Sequence, residues 1–72
     1  MKEQIGQNLR RIRHKMGMTQ VEFADYLQIS HPTICNWERG KKKPQLDCLL
    51  EVAEKLGLSL DELVFGENRR KK

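Results

Sequence analysis

Ile5, Leu9, Ile12 and Met16 stand at i, i+4, i+7 and i+11. That spacing lines one face of an α-helix and no face of a strand. Gly17 follows at once and suits the left-handed conformation that ends a helix. The chain then repeats the device. Short apolar stretches at helical spacing are each opened by a capping side chain or closed by a glycine, and apolar and polar residues nowhere alternate for long. Such punctuation restricts the chain to a bundle of short helices.

Thr19 and Glu22 form a capping box, in which each side chain satisfies the other's backbone N–H. Phe23, Ala24 and Leu27 give this second helix its inner face, and Ile29 plugs the core from the connection. Ser30 is an N-cap for a third helix. Pro32 falls in its first turn, where a missing N–H costs nothing. Proline disfavours helical geometry at His31, so the cap position is open by one residue. Ile34 and Trp37 face inward, and Gly40 ends the helix. Pro44 restarts the chain, and Leu46, Leu49, Leu50, Ala53 and Leu56 predict a fourth amphipathic face, stopped by Gly57. Ser59 and Glu62 make a second capping box before Leu60, Leu63 and Val64. Beyond Gly66 the chain is polar and basic, a composition that predicts disorder. The expectation is an all-α, five-helix domain over residues 1–66 with a basic tail over 67–72, near the lower size limit for a domain that folds alone.

Charge is divided along the chain. Residues 1–44 carry nine Lys or Arg against four acids, residues 45–68 one Lys against six acids, and the last four residues are all basic. The basic part suits a polyanion while the acidic part faces away. Cys35 and Cys48, thirteen apart, do not combine with His14 and His31 into a zinc spacing, so no metal or cofactor is expected. Two free thiols in a reducing compartment fit better than one disulfide. No apolar run is long enough to span a membrane, and the first residues lack the apolar core of a signal peptide. The expected location is the cytoplasm. No nucleophile–base set or phosphate-cradling glycine loop appears, and the capping box already accounts for Glu22 beside Asp25, so an enzyme is not expected.

The second and third helices are joined by only Leu27-Gln28-Ile29-Ser30, with small Ala24 at the crossing point. This predicts a helix-turn-helix over about residues 20–39. In such a unit the second helix enters the DNA major groove and its N-terminal residues meet base edges. Here those residues are His31, Pro32, Thr33 and Asn36. Asn bonds bidentately to adenine, Thr bonds a base or touches a thymine methyl, His donates or accepts, and Pro packs on a thymine methyl. On this helix alone a solvated polar face is an equal alternative. Lys41, Lys42 and Lys43 shift the balance, because they leave the helix where a phosphate backbone would pass.

The stretch "LRRIRHKMGMTQVEFADYLQISHPTICNWERGKKKPQLDCLLEVAEKLGLSLDELV" resembles the five-helix phage-repressor and Cro type, also called the XRE-type helix-turn-helix, over about residues 9–64. The pieces that carry the likeness are Gly17-Met18-Thr19-Gln20, Phe23-Ala24, Trp37-Glu38-Arg39-Gly40 before Pro44, and Leu56-Gly57-Leu58-Ser59-Leu60-Asp61-Glu62-Leu63. The resemblance implies that Gln20 contacts DNA phosphate, that His31, Pro32 and Asn36 are base-reading positions with Thr33 and Cys35 nearby, and that Lys41 to Lys43 touch phosphate. Ser30 is the remaining expected phosphate contact. It implies that Arg13 pairs with Glu38, whose carboxylate otherwise opposes the helix dipole in a last turn. The chain departs from the family at Pro32 and Cys35, where polar hydrogen-bonding residues are usual. It departs again at Gln45, which replaces the usual Ser or Thr cap and predicts a weaker start for the fourth helix.

The expected function is a sequence-specific, bacterial or phage-encoded regulator of transcription, a repressor. It would bind double-stranded DNA at a palindromic operator as a homodimer, through Leu58, Leu60, Val64 and Phe65. The alternative is an antitoxin or protein-interaction module on the same fold, with a toxin as partner.

Overall fold

The computed structural model describes residues 2–66, and the expected basic tail over 67–72 lies outside them. Five helices follow one another: α1 (Lys2–Lys15), α2 (Gln20–Leu27), α3 (His31–Glu38), α4 (Leu46–Leu56) and α5 (Leu60–Phe65). No strand occurs among the described residues.

Both capping boxes form as expected, Thr19 with Glu22 and Ser59 with Glu62. Ser30 caps α3, so the start does not slide. At α4 the N-cap Gln45 makes no side-chain cap bond, and Asp47 Oδ1 instead accepts from the Cys48 N–H at 3.0 Å. Helices α1 to α4 all end in the same hydrogen-bonded turn. An N–H two or three residues beyond the last helical one bonds back five positions, as in Ile29 N–H to Ala24 O at 2.9 Å and Leu58 N–H to Ala53 O at 2.9 Å. Three of these turns place glycine at the left-handed position. The turn between α2 and α3 places Gln28 there, at φ 60° and ψ 43°.

The core joins Ile5 and Leu9 of α1, Phe23, Ala24 and Leu27 of α2, Ile34 and Trp37 of α3, Leu49, Val52 and Ala53 of α4, and Leu63 of α5. Ile12, Ile29, Leu56, Leu58, Leu60 and Val64 pack half-buried against it. Two sequence expectations need correction. Met16 lies one residue past the end of α1 and is exposed rather than part of its inner face. On α4, Leu46 and Leu50 are 65% and 48% exposed, while Val52, absent from the expected face, is 2% exposed. Residues turn about 100° apart on a helix, so Val52 and Leu50 flank Leu49 on opposite sides. Either flank completes an apolar stripe, and the packing selects Val52. Leu46 is left beside an open hollow that Ile5, Pro44, Leu49 and Val64 also line.

Two polar contacts on α1 decide how the bundle closes. Asn8, 4% exposed, donates from Nδ2 to the Leu63 carbonyl at 2.7 Å and accepts from Arg11 Nη2 at 3.2 Å. Arg11 Nη2 also donates to the Gly66 carbonyl at 2.9 Å, so α1 satisfies carbonyls at the end of α5. Across the bundle, Lys55 Nζ donates to the Leu27 carbonyl at 2.9 Å and to Gln28 Oε1 at 3.2 Å. The one base of residues 45–68 is therefore spent on the end of α2.

Candidate nucleic-acid interface

α3 is seated by Ile34 and Trp37, which are 1% and 5% exposed, and its side chains from His31 to Thr33, with Cys35 and Asn36, are outside the core. His31 and Pro32 are exposed, and Thr33, Cys35 and Asn36 are half-buried. Ser30 Oγ and Thr33 Oγ1 lie 2.7 Å apart, so both hydroxyls are engaged in the cap. Among the described residues, no side-chain hydrogen bond occupies the Asn36 amide, although the Asn36 backbone carbonyl accepts from Lys41 N–H at 2.9 Å. That bond holds the start of the lysine loop against the end of α3. Lys41, Lys42 and Lys43 are all exposed.

The Arg13–Glu38 pair is present. Arg13 Nε donates to Glu38 Oε2 at 2.7 Å and Nη2 to Oε1 at 3.0 Å, while Nη1 donates to the Met18 carbonyl at 3.0 Å. The side chains are 10% and 4% exposed. This parallel two-bond geometry ties α1 to the end of α3 and compensates a carboxylate at the negative end of the helix.

Gln20 is the joint between the two helix starts. Its Nε2 donates to Glu38 Oε1 at 3.0 Å. Its Oε1 accepts from the Cys35 thiol at 3.0 Å and lies 3.3 Å from His31 Nε2. The N-termini of α2 and α3, each with free N–H groups and partial positive charge, therefore meet at one place. Beside it an open hollow is lined by Arg10, Arg13, Gln20, Cys35, Glu38 and Arg39. Arg13 is neutralised by Glu38, which leaves Arg10 and Arg39 as the hollow's further cations. Neither stood out in the sequence as a site residue. The available signal was position: Arg10 lies one helical turn before Arg13, and Arg39 directly follows Glu38.

Of the other expected contacts, Leu58, Leu60 and Val64 pack against the core, while Phe65 is 38% exposed. Both cysteines are free thiols. Among the described residues no three His, Cys, Asp or Glu side chains converge as a metal cluster, and no helix is long and apolar enough to cross a membrane.

Residues 9–63 match the family model described as Helix-turn-helix, HTH_3. The chain belongs to the helix-turn-helix family. An uncharacterized HTH-type transcriptional regulator of Sinorhizobium fredii, y4dJ, is 36% identical over 64 residues, covering 89% of this chain and 83% of that protein. The HTH-type transcriptional regulator ImmR of Bacillus subtilis is 34% identical over 68 residues, covering 94% of this chain and 54% of ImmR. Among solved structures, the P22 c2 repressor in complex with a synthetic operator superposes with a TM-score of 0.76 at 28% identity, covering 88% of this chain and 96% of that one. The chain spans about half the length of several curated relatives it matches. Within this helix-turn-helix domain, Gln28 occupies the left-handed position of the turn between α2 and α3.

Proposed function

We propose that this helix-turn-helix chain binds double-stranded DNA in a sequence-specific way and regulates transcription, as a repressor, with α3 in the major groove. One observation carries the proposal. The starts of α2 and α3 converge at the Gln20–His31 contact, while Ile34 and Trp37 bury the opposite side of α3. Two helix N-termini at one place favour backbone phosphate, and the face between them is left for base edges. His31, Pro32, Thr33 and Asn36 read bases. Gln20, Ser30 and Lys41 to Lys43 position the backbone, joined by Arg10 and Arg39 at the hollow. The names of the relatives and the operator complex of the P22 c2 repressor support the same partner. Two copies related by a two-fold axis would read half-sites about one turn, ~34 Å, apart. Leu60 and Val64, four apart on α5, with Leu58 and exposed Phe65, supply an apolar contact between them.

The test is selection from random duplex DNA followed by binding to single-base variants at fixed salt. Asn36→Ala is expected to lose discrimination worth ~1–3 kcal/mol at one base pair per half-site, because its amide is free to engage both adenine groups. Non-specific affinity should stay nearly constant. If Asn36→Ala and His31→Ala both keep the full preference while folded, α3 is not the reader and a protein-interaction role takes its place.

Salt dependence separates the lysines from the readers. Each phosphate neutralised adds about −0.9 to the slope of log K against log salt. Replacing Lys41, Lys42 and Lys43 with Ala should flatten that slope and weaken every sequence alike. An unchanged slope would take the loop out of the interface.

A further inference from the structure

Three donor atoms meet at the joint of α2 and α3. Cys35 Sγ lies 3.4 Å from His31 Nε2 and 3.0 Å from Gln20 Oε1, and His31 Nε2 lies 3.3 Å from Gln20 Oε1. The phosphate and base contacts proposed above are assigned to side chains of this surface singly and leave this triangle, as a unit, without a stated role. We propose that it is a binding site for a borderline-soft divalent cation of the zinc class, and that the bound ion opposes DNA binding.

The geometry suits such an ion. Zn–S bonds of about 2.3 Å and Zn–N bonds of about 2.0–2.1 Å at a tetrahedral angle set sulfur and nitrogen roughly 3.6 Å apart. The observed separation is close to this before any ion arrives. His31 and Cys35 are one helical turn apart on α3, so the helix itself holds the pair in register. The third donor is oriented from behind. Glu38 accepts from Gln20 Nε2, so the amide must turn its oxygen toward the thiol and the imidazole. Arg13 in turn fixes Glu38 with two bonds. Such outer partners commonly aim metal ligands. His31 is exposed, which opens a path for the ion. Sulfur and imidazole nitrogen favour zinc-like ions over magnesium or calcium.

Binding is a simple exchange. The Cys35 thiol gives its proton to solvent, the thiolate sulfur and the neutral His31 Nε2 each donate a lone pair, and Gln20 Oε1 coordinates as a weak third ligand. Waters leave the metal for each ligand gained, and solvent keeps the fourth position. A zinc spacing of Cys and His in a sequence marks a closed site with four side-chain ligands. This open site needs two, with an amide brought from another helix.

The effect on DNA rests on the function proposed above. An ion that holds His31 Nε2 removes one base-reading group, and by holding Oε1 it pins the Gln20 amide, whose Nε2 N–H is the donor that would face phosphate.

The experiment uses the full chain with Cys48→Ser, which leaves Cys35 as its one thiol. Co2+ alone should give a thiolate-to-metal absorption band at one ion per chain that Zn2+ abolishes. The band should be absent when Cys35→Ser or His31→Gln is added, with helix content by circular dichroism unchanged. No band at large metal excess, or a band that survives His31→Gln, would overturn the site. Zn2+ should also weaken binding to the selected duplex about tenfold or more, within the range of ordinary coupling between ligands. It should leave the protein with the added Cys35→Ser insensitive. An occupied site with unchanged or stronger duplex affinity overturns the opposition. A metal-free chain that shows the band with Co2+ yet binds no duplex overturns the DNA reading and leaves the metal site standing.

Discussion

Gly6→Ala is expected to lower stability by about 2–3 kcal/mol, although alanine is the better helix former by about 1 kcal/mol. Gly6 is buried in α1 where that helix crosses α3. A Cβ placed there would stand 2.0 Å from the Trp37 carbonyl oxygen, 3.0 Å from its carbon and 3.1 Å from the Glu38 Cα. All three are backbone atoms, so no side chain can swing aside. Helix α1 would have to withdraw from α3, loosening Ile5, Leu9 and the Arg13–Glu38 pair together. Chemical denaturation decides the matter by sign: a midpoint at or above that of the unaltered protein would show that the crossing yields freely.

Arg13→Ala should cost about 3–5 kcal/mol, the range for removing one partner of a buried pair, whereas an exposed pair is worth about 1 kcal/mol or less. The loss would strand Glu38, whose side chain is 4% exposed, with only Gln20 Nε2 as a donor, and would free the Met18 carbonyl. Arg13→Lys should recover little, because an ammonium cannot make two parallel bonds and reach Met18 as well. A double-mutant cycle with Glu38→Ala measures the coupling, and a value near zero would contradict the pairing. Since Glu38 also orients Gln20, Arg13 variants that remain folded should weaken duplex binding too.

Much of this was legible from local chemistry. Capping boxes, Ser30, Pro32 and the glycines act within one turn of chain, so their residue types declare where helices begin and end. Ile34 with Trp37 and Phe23 with Ala24 and Leu27 declared inner faces because their spacing repeats the helix period. The Arg13–Glu38 pair came from the family resemblance, since no local rule joins residues 25 apart.

Other features depended on which helices meet. Leu50 and Val52 are equivalent to a periodicity argument, and only the seam against the other helices buried Val52 and left Leu50 in solvent. Nothing local marks Gly6, whose lack of a side chain matters only because the Trp37 carbonyl lies against it. Asn8, Arg11 and Lys55 each satisfy a backbone carbonyl on or at the end of another helix, a role that no local pattern marks. The same holds at the site. His31, Cys35 and Gln20 were visible singly, on two helices and eleven to fifteen residues apart. Their convergence was not, because it requires the left-handed Gln28 turn to bring two helix starts together. Sequence alone therefore determined the five helices, their caps and most of their inner faces, since these follow from interactions within a turn or two. Tertiary structure decided the crossing at Gly6, the α4 flank that is buried and the joint at Gln20, because each is a contact between segments whose separation in the chain carries no periodic signal.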